Sequence, residues 1–240
     1  MTAGAAGTSA TDAAAQPMPH ADAKRIARAY LPRSSLGNRW NYYYSKAKLA
    51  SDPLYPGVLA ALRGSDAALL DVGCGIGLLA HALRHDGQRM PYHGTDIDQR
   101  KIGNAMRAAD AAGLADVAFG MADLTAGLPA YAGSVAILDV LQYLSHSAQD
   151  RLLAAAIGCL VPGARLVIRA AVDNGQVGTR TTRLTDQLTH LIGWMQTVPR
   201  DYPREDDLRA TFESAGLHAR FTPLSGNALF HHWLIVAEQK

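Results

Sequence analysis

Apolar positions along the 240-residue chain fall into short unbroken runs separated by stripes of helical period. Ala67 to Leu70, Ser134 to Leu141 and Leu166 to Arg169 are built on such runs, the pattern of strands buried on both faces of a parallel sheet. Leu78 to Arg84, Gln99 to Ala112 and Asp150 to Leu160 read as helices, the last with Leu152, Leu153, Ala156 and Leu160 on one side. Tyr92 to Asp98 and Val117 to Leu124 add two strands. Arg204-Glu205-Asp206-Asp207-Leu208 opens a helix with acidic residues in its first turn, where the helix dipole favours them, and Gly216 stops it. Leu217 to Leu224 and Leu229 to Glu238 then read as two strands joined through Ser225-Gly226-Asn227. Strands alternating with helices predict an α/β fold built on a Rossmann-like, doubly wound sheet of seven strands.

Ahead of the first strand, Asp22 to Leu49 is mostly helical with a break between Pro32 and Asn38, and Pro56 to Arg63 reads as another helix. Residues 1–21 are rich in Ala, Gly, Thr and Ser and lack a basic stretch followed by a Leu-rich core. They read as a disordered tail rather than a secretory signal. The expected plan is a tail at 1–21, a helical lid at 22–60 and an α/β domain at 61–240. Asp173 to Arg204 is longer than a bare crossover needs. With Gly175, Gly178, Arg180, Arg183 and an apolar stripe from Leu184 to Met195, residues 173–204 read as an inserted substrate cap.

Composition narrows the classes of function. Apolar residues make up 48% and charged residues 18%, which suits a folded protein. A net charge of +2 gives no reason to expect nucleic acid or an anionic membrane as partner. No apolar run approaches the roughly 20 residues of a membrane helix. The two cysteines, Cys74 and Cys159, form neither a disulfide framework nor a metal-ligand pattern and fit a reducing cytoplasm.

The chemistry concentrates in Leu69-Leu70-Asp71-Val72-Gly73-Cys74-Gly75-Ile76-Gly77-Leu78-Leu79. Strand, glycine turn and helix open a nucleotide-binding unit: glycine reaches positive φ without strain and lets a ligand touch the backbone. The spacing is G-x-G-x-G, with Leu78 where a dinucleotide fingerprint has its third glycine. That residue argues against the alternative of a nicotinamide-dependent oxidoreductase. Asp96 follows the glycine run by about 20 residues, where such folds set a carboxylate against ribose hydroxyls. Asp98 reads as the cap of the next helix.

Asp71-Val72-Gly73-Cys74-Gly75-Ile76-Gly77 resembles the first motif of class I S-adenosylmethionine-dependent methyltransferases, and Gly94-Thr95-Asp96-Ile97-Asp98 resembles their second. Asp123-Leu124 stands where the family flanks adenine, and Asp139-Val140-Leu141-Gln142-Tyr143-Leu144 resembles the segment after the fourth strand. The closing pair of strands, the last antiparallel, matches too. The likeness runs from Leu69 to the C-terminus. It implies S-adenosylmethionine as cofactor, held by Tyr44, Lys48, Asp71, Gly73, Cys74, Gly75, Gly77, Asp96, Ile97, Asp123, Leu124, Asp139 and Val140. Tyr44 to Pro53 resembles methyltransferases encoded with bacterial aryl-polyene and related pigment pathways.

The acceptor side is read from side chains near these motifs. Tyr44 and Lys48 share a helix face and either hold the cofactor's carboxylate, close the substrate pocket, or pack and solvate an ordinary helix. Trp40, Gln142, Tyr143 and Arg169 are candidate substrate contacts, although Arg169 is expected to pair with an internal carboxylate. His146 and Tyr43 are candidate general bases. Asp139 has no convincing partners for a metal, and His231-His232 lacks a third ligand, so no metal is expected. The expected partner is a small-molecule methyl acceptor, an aromatic or polyketide-like hydroxyl or ring carbon, with no nucleic acid and no membrane span. The expected assembly is a monomer or homodimer. A non-catalytic S-adenosylmethionine-binding subunit is a further alternative.

Overall fold

β1 (Leu69–Val72) runs through the middle of the sheet, between β2 (Tyr92–Asp96) and β4 (Ser134–Leu138), parallel to both. The computed structural model describes residues 15–124, 127–172, 201–224 and 232–239. Outside the sheet centre lie β3 (Val117–Met121), β5 (Arg165–Ala171), β6 (Leu217–Leu224) and β7 (His232–Gln239). The helices are α1 (His20–Ala27), extended by a 3-10 turn at Arg28–Tyr30, α2 (Trp40–Ser51), α3 (Leu54–Leu62), α4 (Leu78–His85), α5 (Gln99–Ala112), α6 (His146–Gly158) and α7 (Glu205–Ser214). A second 3-10 turn covers Leu141–Tyr143.

The strand order is β3-β2-β1-β4-β5-β7-β6, with β7 antiparallel to both neighbours. The seven strands are those the pattern predicts, and the mostly parallel sheet with an antiparallel last strand is what the resemblance implies. Chain order reverses between β1 and β4, so the connections leaving their carboxyl ends diverge and open a crevice there. Alternation along the strands divides the core. Leu69, Ala136 and Val167 face the side covered by α1, α3 and α4. Leu70, Val72, Val135, Ile137, Leu166 and Ile168 face α6 and α7. Asp71 and Arg169 therefore fall on the first side, beneath the N-terminal helices.

The boundary expected at residue 21 falls inside α1, and described residues ahead of it already pack against the fold. Met18 is buried, and its N–H donates to Leu49 O at 3.1 Å, so one apolar side chain anchors the segment to α2. Helix α6 starts a turn ahead of Asp150, at His146. Most of the expected cap at 173–204, with Arg180, Arg183 and the stripe from Leu184 to Met195, lies outside the described residues, as do His231 and Ser225-Gly226-Asn227. Among the described residues no helix is long and apolar enough to cross a membrane.

β1 and β2 share a buried polar pair. The Tyr92 hydroxyl donates to Asp71 Oδ2 at 2.5 Å, and Asp71 is 2% exposed. Burial pushes the Asp71 carboxyl up to about 7, against the opposing pull of that hydrogen bond. An acid with a raised native pKa is still protonated in the folded protein while the unfolded chain has ionised it. Stability therefore falls as pH rises from about 4 to about 7, each pKa unit being worth about 1.4 kcal/mol. Asp71→Asn removes this titration. Between pH 4.5 and 7, thermal unfolding should show wild type losing stability relative to the Asn variant, about one to a few kcal/mol in all. A pH-independent difference would mean that Asp71 is ionised throughout.

Two glycines separate backbone strain from crowding. Gly77 (φ +78) precedes α4, and a Cβ there would stand 2.7 Å from the Phe119 ring. Gly87 (φ +87) has nothing within 4 Å of the same point. Gly87→Ala should cost about 1–2 kcal/mol from the left-handed backbone alone, and Gly77→Ala about 2–5 kcal/mol with overpacking added. Chemical denaturation measures both, and equal losses would show that Phe119 yields freely.

Candidate active site

The turn after β1 is held by hydrogen bonds rather than by side-chain packing. Gly73 N–H and Cys74 N–H both donate to Thr95 O, at 2.8 and 2.9 Å, tying the turn to the end of β2. A Cβ on Gly73 would meet Val140 Cγ2 at 2.4 Å, so the turn presses against the segment leaving β4. Gly75 differs: its φ is +59 and nothing lies within 4 Å of where a Cβ would stand. Its N–H donates to Asp96 Oδ2 at 3.0 Å, while Asp96 Oδ1 accepts from Asp98 N–H at 2.9 Å. Asp96 is buried, and each carboxylate oxygen keeps a lone pair for a further donor. Asp98 caps α5, accepting from Arg100 N–H at 2.8 Å and from Lys101 N–H. β3 ends beside Asp96, with Ala122 N–H donating to Asp96 O at 3.2 Å. Asp96, Ile97, Asp123 and Leu124 are thereby collected at the carboxyl ends of β2 and β3, Ile97 being 66% exposed.

On the other side of the crevice, four charged side chains form one network. Lys48 Nζ lies 2.6 Å from Asp52 Oδ2 and 3.7 Å from Asp139 Oδ2. Arg169 Nη1 lies 2.5 Å from Asp139 Oδ2 and 3.2 Å from Asp52 Oδ2. Arg169 is buried and takes the internal pairing expected of it. The network ties α2 to the ends of β4 and β5. Burial pushes the Asp52 and Asp139 carboxyls up, but Lys48 and Arg169 outweigh it and hold both below the usual carboxylate range. Asp139 sits at φ +60, a left-handed conformation that Asp tolerates, with its N–H donated to Arg169 O at 2.9 Å. Asp139 Oδ1 and Arg169 Nε are buried without a hydrogen-bond partner among the described residues. Burial, reinforced by Asp139 and Asp52, pushes the neighbouring Tyr44 phenol up. His232 is driven down to about 4 by burial and then by Arg169.

The N-terminal segment also grips the glycine turn. Tyr30 OH donates to Ile76 O at 3.0 Å, and its ring lies 5.0 Å from that of His81 on α4. Burial, then the charges of Asp71 and Asp96, push the Cys74 thiol up, so it carries no thiolate.

The remaining candidates spread around the same edge. His146 opens α6, exposed, with Nε2 4.0 Å from Asp201 Oδ1. Trp40 and Tyr43 on α2 are 53% and 57% exposed, whereas the adjacent Tyr44 packs against the core. Gln142 is buried and Tyr143 half-buried in the 3-10 turn after β4. Among the described residues no group of His, Cys, Asp and Glu side chains forms a metal site. A separate cleft of about 540 Å³ opens between α1 and the far ends of α4 and α5, lined by arginines. One of them, Arg84, is spent on carbonyls of Gln88, Met90, Ala115 and Asp116.

Sequence reading did not single out Asp52, Tyr92 or Tyr30 as site residues. The Lys48–Asp52 pair carries a readable signal, the i,i+4 spacing at a helix end. Asp52–Arg169 and Asp71–Tyr92 join segments distant in sequence and leave no local trace.

Residues 69–163 match a family model described as a methyltransferase domain. No curated protein matches the chain. Among solved structures, magnesium protoporphyrin IX methyltransferase from Synechocystis PCC 6803 with bound SAH is similar at 20% identity and a TM-score of 0.62, over 90% of this chain and 93% of that one. Mitomycin 7-O-methyltransferase MmcR is similar at 22% identity and a TM-score of 0.62, over 84% of this chain and 57% of that one. The pyocyanin biosynthetic protein PhzM is similar at 17% identity and a TM-score of 0.61, over 90% and 62%. At these identities the likenesses speak for the fold, and the domain match speaks for the family. Residues 69–163, with the glycine turn and the centre of the sheet, thus carry a methyltransferase domain.

Proposed function

We propose that this methyltransferase acts on a small molecule, at a hydroxyl or activated ring carbon of an aromatic or polyketide-like scaffold such as a pigment precursor. The observation that carries the cofactor half of the reading is Asp96. Its carboxylate is pinned by two backbone N–H groups beside a glycine whose Cβ position is open. That arrangement fits a ribose diol, each hydroxyl donating to one oxygen. The charge-assisted bonds are worth about 1.5–3 kcal/mol each. Asp123 takes the adenine amino group, with Ile97 and Leu124 against the ring. The turn from Gly73 through Cys74 and Gly75 to Gly77 carries the cofactor across β1, with Asp71 bracing it from beneath. Lys48 and Tyr44 hold the amino-acid carboxylate, beside Asp139 and Val140.

The acceptor half rests on the exposed aromatics of α2, Trp40 and Tyr43, and on Gln142 and Tyr143 after β4. Arg169 shapes that end of the pocket through its pairs with Asp139 and Asp52. Structural relatives named for magnesium protoporphyrin IX and for mitomycin 7-O-methylation support a small acceptor. The sulfonium of the bound cofactor supplies an already activated methyl group. The protein contributes orientation and exclusion of water. With the cofactor held by these residues, its methyl group would pass to the acceptor oxygen, and His146 would take the proton which that oxygen gives up. Tyr43 is the other candidate for that proton. The two free cysteines fit a cytoplasmic protein, acting as a monomer or homodimer, and a net charge of +2 gives no reason to expect a nucleic-acid partner.

Asp96→Ala should weaken S-adenosylhomocysteine binding tenfold or more, since a lost charge-assisted bond exceeds about 1.4 kcal/mol. Calorimetric titration measures this, and unchanged affinity would remove Asp96 from the ribose. His146→Ala should lower kcat on a phenolic acceptor by about 100-fold, the low end for general-base loss, with cofactor affinity intact. An unaltered kcat would take His146 out of the mechanism.

A further inference from the structure

The charged network beside Asp139 has more carboxylate than the cofactor site needs. The adenine and ribose positions proposed above lie at the ends of β3 and β2. A ligand laid along that edge crosses β1 at the glycine turn and reaches β4 two strand spacings from the ribose, about 10 Å away. At β4 it meets Asp139, whose neighbour Val140 presses on Gly73. The cofactor's amino-acid end carries one ammonium and one carboxylate. Asp139 Oδ1, buried and without a hydrogen-bond partner among the described residues, suits the ammonium.

The carboxylate needs a cation, and both cations here already face one. Arg169 is 8% exposed in its side chain and spans Asp139 and Asp52, so it is fixed. Lys48 is different. Its side chain is 23% exposed and ends a flexible four-carbon stem. Its Nζ sits 2.6 Å from Asp52 Oδ2 and 3.7 Å from Asp139 Oδ2, at the rim where the ligand's carboxylate arrives. Asp52 holds its place through its other oxygen, which accepts from Leu54 N–H at 3.0 Å at the start of α3. Asp52 can therefore release Lys48 without moving.

We propose that Asp52 is an internal stand-in for the cofactor's carboxylate: it parks Lys48 in the free protein, and the bound cofactor takes Lys48 over. This rests on the reading of Lys48 given under the proposed function. It makes Asp52 a positioning residue that sets cofactor affinity by competition, and it predicts that removing a charge next to the site tightens binding.

The experiment is calorimetric titration of wild type, Asp52→Asn and Lys48→Met with two ligands. One is S-adenosylhomocysteine. The other is its decarboxylated form, which keeps the ammonium and lacks the carboxylate. Asn keeps an oxygen for Leu54 N–H, so α3 stays capped. Asp52→Asn should bind S-adenosylhomocysteine about fivefold more tightly, the scale of one partly exposed ion pair, and gain nothing for the decarboxylated form. Lys48→Met should lose affinity for S-adenosylhomocysteine alone. Weaker binding of both ligands by Asp52→Asn, or an equal loss of both by Lys48→Met, would make the pair a brace for α2 and overturn the proposal. Should Asp52→Asn fail to fold, the Lys48→Met comparison decides by itself. Wild type that binds S-adenosylhomocysteine no better than the decarboxylated form also overturns it. Wild type that binds neither ligand overturns the cofactor site itself, and this inference with it.

Discussion

The Asp96 carboxylate is the joint on which the crevice depends. One oxygen takes the Gly75 N–H of the turn after β1, and the other takes the Asp98 N–H at the start of α5. A ligand site must be concave, so side chains cannot fill it to make it rigid. Here the backbone is made rigid instead by hydrogen bonds, to Asp96 and to Thr95 O. Packing enters only from behind, where Phe119 approaches Gly77 and Gly94, and Val140 approaches Gly73. Losing a buried hydrogen bond of this kind leaves a donor that costs about 1–3 kcal/mol, and the loss falls on two elements at once.

The carboxylates of the site show how strongly environment divides one residue type. Among the described residues Asp71 has a neutral phenol for hydrogen-bond partner, and burial wins, raising its pKa. Asp52 and Asp139 are shielded as well, yet two cations reach them and the balance turns the other way. Around the ends of β4 and β5 the charges of α2 and the strands thus form a pattern of full charges, two of each sign. The ends of β1 and β2 present backbone dipoles around one carboxylate. A zwitterionic ligand group suits the first surface and a neutral sugar suits the second.

What could be read from the chain follows from the range of each interaction. The glycine turn and the capping role of Asp98 are local, set by residues a few positions apart, whereas Asp96, 21 positions from Gly75, is legible through its spacing from the glycine run. The strand count follows from the order of runs, and the antiparallel last strand from the family resemblance. Asp71 shows where local reading stops. Within the glycine motif it looks ligand-facing, but the two-residue period of β1 sets it with Leu69, under the turn and against Tyr92. The ring of Lys48, Asp52, Asp139 and Arg169 is half legible, since the helix spacing gives the first pair and only the fold gives the rest. Met18 lies beyond the helical pattern as a lone apolar residue without periodicity, so its anchoring against α2 had no signature.

The place of β7 has a consequence for how the chain is made. It follows β6 in sequence but lies between β5 and β6 in the sheet. During synthesis β6 leaves the ribosome first and has no strand to join, while β5 remains an open edge of fully apolar composition from Leu166 to Ile168. An edge of that kind invites pairing with another nascent chain. The half of the sheet that carries Arg169 closes only when β7 slides in as the last wedge. Vectorial folding of this sheet therefore finishes at its β5-β7-β6 edge, after the β3-β2-β1-β4 half has taken shape.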